Sequence, residues 1–134
     1  METQNELELG IGSKEAITLK PANVKITETK IVEVGEKHNK KVVCVVKHPD
    51  REEPIEISSV KYERNGKLLV TGLWVNKDED NLIQKGSALA VLMNFLNAEV
   101  IKDLTDKEAS TTEDDKGYLC FKAYWLIYTQ PKRL

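Results

Sequence analysis

The sequence predicts a mainly-β domain: a small barrel of strands plugged by one helix. Three observations carry this. Period-two alternation of apolar and polar residues recurs between residues 16 and 128, and its longest run is 117–128, GYLCFKAYWLIY. Helical spacing occurs once, over 88–97, ALAVLMNFLN. With one helix, a doubly wound α/β fold is excluded, because each parallel strand pair would need its own crossover.

Residues 16–34 read as a long first strand whose alternation slips between Ile26 and Ile31, which predicts a bulge or bend. A polar turn, GEKHNK, leads to KVVCVVK (41–47), an apolar run with Lys at both ends and hence a well-buried strand. After the two-proline loop 48–54, strand alternation resumes over 55–62 and changes phase across Ser58 and Ser59. Asn65-Gly66 is the strongest short hairpin signal in the chain and makes KLLVTGLWV (67–75) the antiparallel partner. Loop 76–85 is rich in Asp and Glu. Ser87 is placed to cap the helix, whose Leu89, Leu92, Met93 and Leu96 form an inward stripe. A connector with Ile101 and Leu104 inward leads to a weak strand (107–112), the acidic turn 113–116, and the closing strand 117–128. That strand sends Leu119, Phe121, Ala123, Trp125 and Ile127 to a core face. Tyr118, Cys120, Lys122, Tyr124, Leu126 and Tyr128 go to a wetter, contact-making face.

The length of 134 residues bounds the chain to one domain, expected over 14–130 between a polar arm (1–13) and a short basic tail (131–134). The formal net charge of −2 is unevenly spread: 11–76 and 117–134 are basic, 1–10 and 77–116 acidic. A local positive face is therefore compatible with an acidic total. Cys44 and Cys120 both sit in apolar strand patterns, as buried free thiols do. With an acidic, polar beginning and no apolar run of membrane-spanning length, they predict a reducing, intracellular and cytoplasmic setting.

In element order the chain resembles the OB-fold, a Greek-key barrel whose helix precedes the last two strands. The bent first strand, SALAVLMNFLN, the connector IKDLTDK and GYLCFKAYW carry the likeness over about 17–128. Within it the layout is most similar to small single-stranded DNA-binding proteins of archaeal or phage type. The chain departs in one respect: three strands, not two, separate the first strand from the helix. Either the Asn65-Gly66 hairpin is an elaboration, or the fold is another small barrel.

The resemblance implies non-sequence-specific binding of single-stranded DNA or RNA, in replication, repair or viral genome handling, through base stacking and lysine–phosphate contacts. The expected site is Lys37 and Lys40 on one groove wall, Lys41, Lys61 and Lys67 at strand ends, Tyr62 and Trp74 flanking the hairpin, and Tyr118, Lys122 and Tyr124 on the last strand. Each ring has an alternative role as barrel filler. The acidic turn Glu113-Asp114-Asp115 opposes a polyanion and favours a second expectation, an assembly barrel whose aromatic face docks another chain or a further copy. His38, Cys44, His48 and Asp50 fit no zinc spacing. Asp78, Asp80 and Asn81 begin like a calcium loop but lack its Gly and closing Glu. No triad, nucleophile elbow or phosphate loop is present, so the sequence predicts no enzyme, no metal and no cofactor.

Overall fold

The computed structural model describes Gly10 and residues 19–125. Along them run β1 (Asn23–Val34), β2 (Asn39–Lys47), β3 (Ile55–Ile57), β4 (Ser59–Arg64), β5 (Lys67–Gly72) and α1 (Ala88–Phe95). A short 3-10 helix (Ile101–Leu104), β6 (Glu108–Glu113) and β7 (Leu119–Ala123) complete the order. The expected arm and tail, apart from Gly10, lie outside the described residues, as do Ile17 at the start and Leu126, Ile127 and Tyr128 at the end.

Local chemistry sets the element boundaries. The slip after Ile26 is a register shift: Ile26 faces Val46 on β2, but Glu28 already faces Val45. Asn65 (φ 54°) and Gly66 (φ 81°) both take the left-handed region, as a two-residue hairpin turn with the right twist demands. The Ser87 hydroxyl accepts the Ala90 N–H at 3.2 Å at the start of α1. Asn97 (φ 61°) turns the chain away at its end, and Ala98 N–H donates to the Met93 carbonyl at 2.8 Å.

The strands form one mixed sheet in the order β3-β2-β1-β6-β7-β4-β5, and this overturns the expected barrel. β3 and β5 stand at its two ends, and no ladder joins them. The phase change at Ser58 and Ser59 is the physical cause. There the chain leaves one pairing for another: β3 pairs with β2, while β4 pairs in parallel with β7 and antiparallel with β5. Residues 73–75 cross β2 through the single bridge Lys41↔Trp74, with Val42 N–H on the Leu73 carbonyl (2.8 Å) and Val75 N–H on the Lys40 carbonyl (2.9 Å). This contact is one bridge long. The sheet is mainly antiparallel, carries one packed helix, and is not closed into a Greek-key or OB-type barrel.

The core gathers Ile26, Val42, Val46, Val60, Leu73, Leu89, Leu92, Leu104 and Phe121, all without exposure to solvent. α1 packs on β4, β5 and β7, with Ala88, Leu89, Leu92 and Met93 buried. Full burial of one such large apolar side chain stabilises by about 1.5–3 kcal/mol.

The closing strand departs from expectation in three ways. It spans five residues, Leu119–Ala123. Cys120 and Tyr124, assigned to its wet face, are buried. Trp125, assigned to the core, is 64% exposed. It lies beyond the strand end, against Phe95 of α1, with ring centroids 4.6 Å apart. No helix among the described residues is long and apolar enough to cross a membrane.

Candidate functional site

Among the residues expected to bind nucleic acid, the structure brings Lys41 onto Trp74 and sets Lys122 beside Lys61 and Tyr124. Lys37 and Lys40 are exposed beside the β1–β2 turn, and Lys67 is exposed at the start of β5. Lys41 lies over the half-buried Trp74 ring, 5.0 Å from its centroid. Lys61 and Lys122 are register neighbours on β4 and β7, and Lys122 sits 5.1 Å from the ring centroid of Tyr124. Tyr62 and Tyr124 are buried at 5% and 8% exposure, whereas Tyr118 is 69% exposed. The rings that should have formed a stacking platform are thus split between core and solvent, and no aromatic cluster exists among the described residues. Without a closed barrel there is no barrel groove to hold a strand either. These two findings overturn single-stranded nucleic acid as the partner, the replication or repair role that went with it, and the docking of another chain on the same aromatic face.

The acidic segments prove to be self-contained turns. Asp114 accepts the N–H groups of Lys116 and Tyr118, each at 2.9 Å, and Gly117 (φ 88°) closes that turn. The Asp78 carboxylate accepts from Asp80 (2.8 Å) and Leu82 (3.0 Å), and Asp78 N–H donates to the Leu82 carbonyl at 2.7 Å. An Asp carboxylate that satisfies its own loop in this way builds an Asx-type turn. Asn81 (φ 66°) and the bridge Lys77↔Ile83 finish it. The consequence is specific: Leu82 is fixed at the tip with 64% of its surface in solvent.

Leu82 forms one wall of an open groove of about 760 Å³ beside α1. Ala90, Met93 and Ala98 line it with apolar surface, and Val100, 49% exposed, stands on its rim. The second wall is as well anchored as the first. Asp103 accepts the N–H groups of Glu99 and Val100 at 3.3 Å each, and Lys107 Nζ donates to the Asn97 carbonyl at 3.3 Å. Asn81, Asn94 and Asn97 belong to the lining, with one cation (Lys85) and one anion (Glu99). A volume within the range of ligand pockets, apolar lining and a few hydrogen-bonding groups are the ordinary makings of a small-molecule site.

Sequence reasoning missed this groove, having read 76–85 as a solvated acidic loop. The available signal was Leu82-Ile83, an apolar pair in a run otherwise polar and charged, together with Asn94 and Asn97 at the end of the apolar stretch 88–97.

Three further reactive groups, His48, Cys44 and Cys120, are internal. His48 is fully buried: Nε2 donates to the Lys20 carbonyl (2.8 Å) and Nδ1 accepts the Asp50 N–H (3.0 Å). Burial pushes the Cys44 thiol up to about 12, opposed by its hydrogen bond with Thr29. Burial and the charge of Asp114 push Cys120 up to about 11, opposed by Lys61. Such thiols are poor nucleophiles at neutral pH. The Lys30 ammonium is raised by its 2.9 Å hydrogen bond to Glu56. In comparisons with known proteins, no family model, no curated protein and no solved structure matches this chain.

Proposed function

We propose that this chain is a non-catalytic binding domain whose groove beside α1 takes a small neutral molecule with a branched apolar body and an amide or carbonyl group. The observation that carries this reading is the pre-organisation of both groove walls. Leu82 and Val100 are held out of the core by the carboxylates of Asp78 and Asp103, which bond the backbone of their own loops. Leaving apolar groups in water is unfavourable, and a rigid rim that does so gains by covering them with ligand. The carboxamides of Asn81, Asn94 and Asn97 both donate and accept, which suits amides and carbonyls. Lys85 and Glu99 oppose each other in sign, so the rim selects neither anion nor cation. Two buried, free thiols also support the reading that the protein works in a reducing, intracellular setting.

N-acetyl-leucine methylamide is a suitable probe, followed by amide chemical-shift changes in the full chain. The reading expects saturable shifts at Leu82, Ala90, Asn94, Asn97 and Val100, weakened when the probe's terminal amide is replaced by a carboxylate. Ala90→Phe, which fills the groove from its half-buried edge, should abolish them. Shifts centred elsewhere, or unchanged in Ala90→Phe, would refute the assignment.

A further inference from the structure

Among the described residues β5 ends the sheet order, and its sequence is unusual for that position. Leu68, Leu69 and Val70 are consecutive and 36%, 40% and 37% exposed. Natural edge strands are normally blunted by charges, proline, bulges or a covering element. Here one Lys, Lys67, stands at the strand's beginning, and no proline lies within it.

Backbone parity shows which groups the edge offers. The two-residue turn closes on Arg64↔Lys67, and beyond the far end Leu73 N–H donates to the Ser58 carbonyl at 2.9 Å. Lys67, Leu69 and Thr71 therefore direct their backbone groups to β4, while Leu68 and Val70 direct theirs outward. The free edge stops at Gly72, where the Lys41 and Trp74 side chains close in. A Cβ there would lie 2.8 Å from both Lys41 Cε and Trp74 Nε1.

We infer that this edge pairs antiparallel with β5 of a second copy of the chain about a two-fold axis at Leu69. The segment is self-complementary in that register. Leu68 faces Val70 of the second copy, and these residues carry the outward N–H and C=O groups, so each such pair exchanges both hydrogen bonds. Leu69 faces its own symmetry mate, apolar on apolar, and Lys67 faces Thr71, so no like charges meet across the seam. The rows next to the seam are complementary as well: Lys61 lies beside Val70 and Glu63 beside Leu68. Each continuous row therefore runs from Lys61 of one copy to Glu63 of the other. Such a pairing is isologous and closes as a dimer, not a fibre. A single strand edge is a small interface, and the dimer is weak and concentration-dependent.

The test is light scattering on the full chain over a concentration series, with cysteine cross-linking to fix the register. The mass should climb toward twice that of the monomer and return to monomer in Leu69→Lys, which sets two cations face to face, with melting unchanged. Across a non-hydrogen-bonded pair the Cα atoms lie about 4.5 Å apart, within disulfide reach. Mild oxidation should link Leu69→Cys to its mate and leave Leu68→Cys, which faces Val70, unlinked. Cys44 and Cys120 are buried and give a clean background. A mass that stays monomeric throughout overturns the inference. So does a dimer that survives Leu69→Lys, or one in which Leu68→Cys links as readily as Leu69→Cys. Should Leu69→Lys fail to fold, the two cysteine variants decide alone.

Discussion

Alkaline unfolding should be dominated by two thiols that never touch solvent in the folded protein. Cys44 and Cys120 are both fully buried, and burial is the first cause of their raised values, about 12 and about 11 against an ordinary 9.0. A group whose folded value is raised stabilises fully below its unfolded value, and that contribution is lost as pH climbs through the folded value. At about pH 10.5 an unfolded thiol has gained roughly 1.5 pH units of ionisation that the folded one has not. At ~1.4 kcal/mol per unit this is about 2 kcal/mol for each thiol and ~4 kcal/mol for the pair. Against a total stability of about 5–15 kcal/mol, such a loss is readily seen in a urea midpoint. The assay compares the parent with Cys44→Ala/Cys120→Ala at neutral pH and near pH 10.5. Truncation to Ala costs the variant about equally at both, and Lys and Tyr residues titrate in both proteins, so the change in their difference isolates the thiols. The variant should gain on the parent by ~4 kcal/mol between the two conditions. A gap that does not change with pH refutes the burial argument.

His48→Ala should destabilise by about 2–4 kcal/mol in urea, because it leaves the Lys20 carbonyl and the Asp50 N–H without the ring and opens a void at a fully buried position. Gly72→Ala would place a methyl 2.8 Å from the Trp74 indole nitrogen; melting should reveal a loss of about 1–3 kcal/mol, with a shifted tryptophan emission. Gly66→Val puts a β-branched residue at φ 81° in the hairpin turn. It should cost roughly 1–2 kcal/mol, with the loss of hydrogen-exchange protection confined to β4 and β5.

What the sequence made legible is what neighbours along the chain decide. Asn65-Gly66 gave the hairpin, because few other residue pairs tolerate two successive positive φ values. Ser87 gave the helix start through a bond spanning three residues. The alternation break after Ile26 marked a true shift of register. What stayed hidden depends on partners far away in sequence. Alternation says that Cys120 and Phe121 point opposite ways, yet both are fully buried, so packing on each side of β7 decides what its period cannot. Trp125 continues the apolar phase of its strand in the sequence, yet pairing ends at Ala123 and leaves the ring on Phe95. Closure was the largest error. A period-two pattern fixes faces and is silent on whether the first and last strands of a sheet meet.

The candidate site was hidden for a different physical reason. Its decisive residues are defined by exposure, and composition around them points to bulk solvent. Asp78 and Asp103 look like surface charge in the sequence, while in the fold they spend their acceptors on backbone N–H groups of their own loops. That converts two polar loops into stiff walls and leaves Leu82 and Val100 facing water. A stiff wall matters because ordering a mobile loop on binding costs about 0.5–1.5 kcal/mol for each immobilised side chain, and here that ordering is already in place. The same reasoning separates the groove from the β5 edge. One offers apolar side chains on fixed loops, the other offers backbone groups on a strand. Arg64 links the two regions: its guanidinium lies 5.5 Å from the Tyr62 ring centroid and donates to the Gly86 carbonyl beside the Ser87 cap of α1. Leu69 faces Tyr62 across β4 and β5, and α1, which lines the groove, packs directly on both strands.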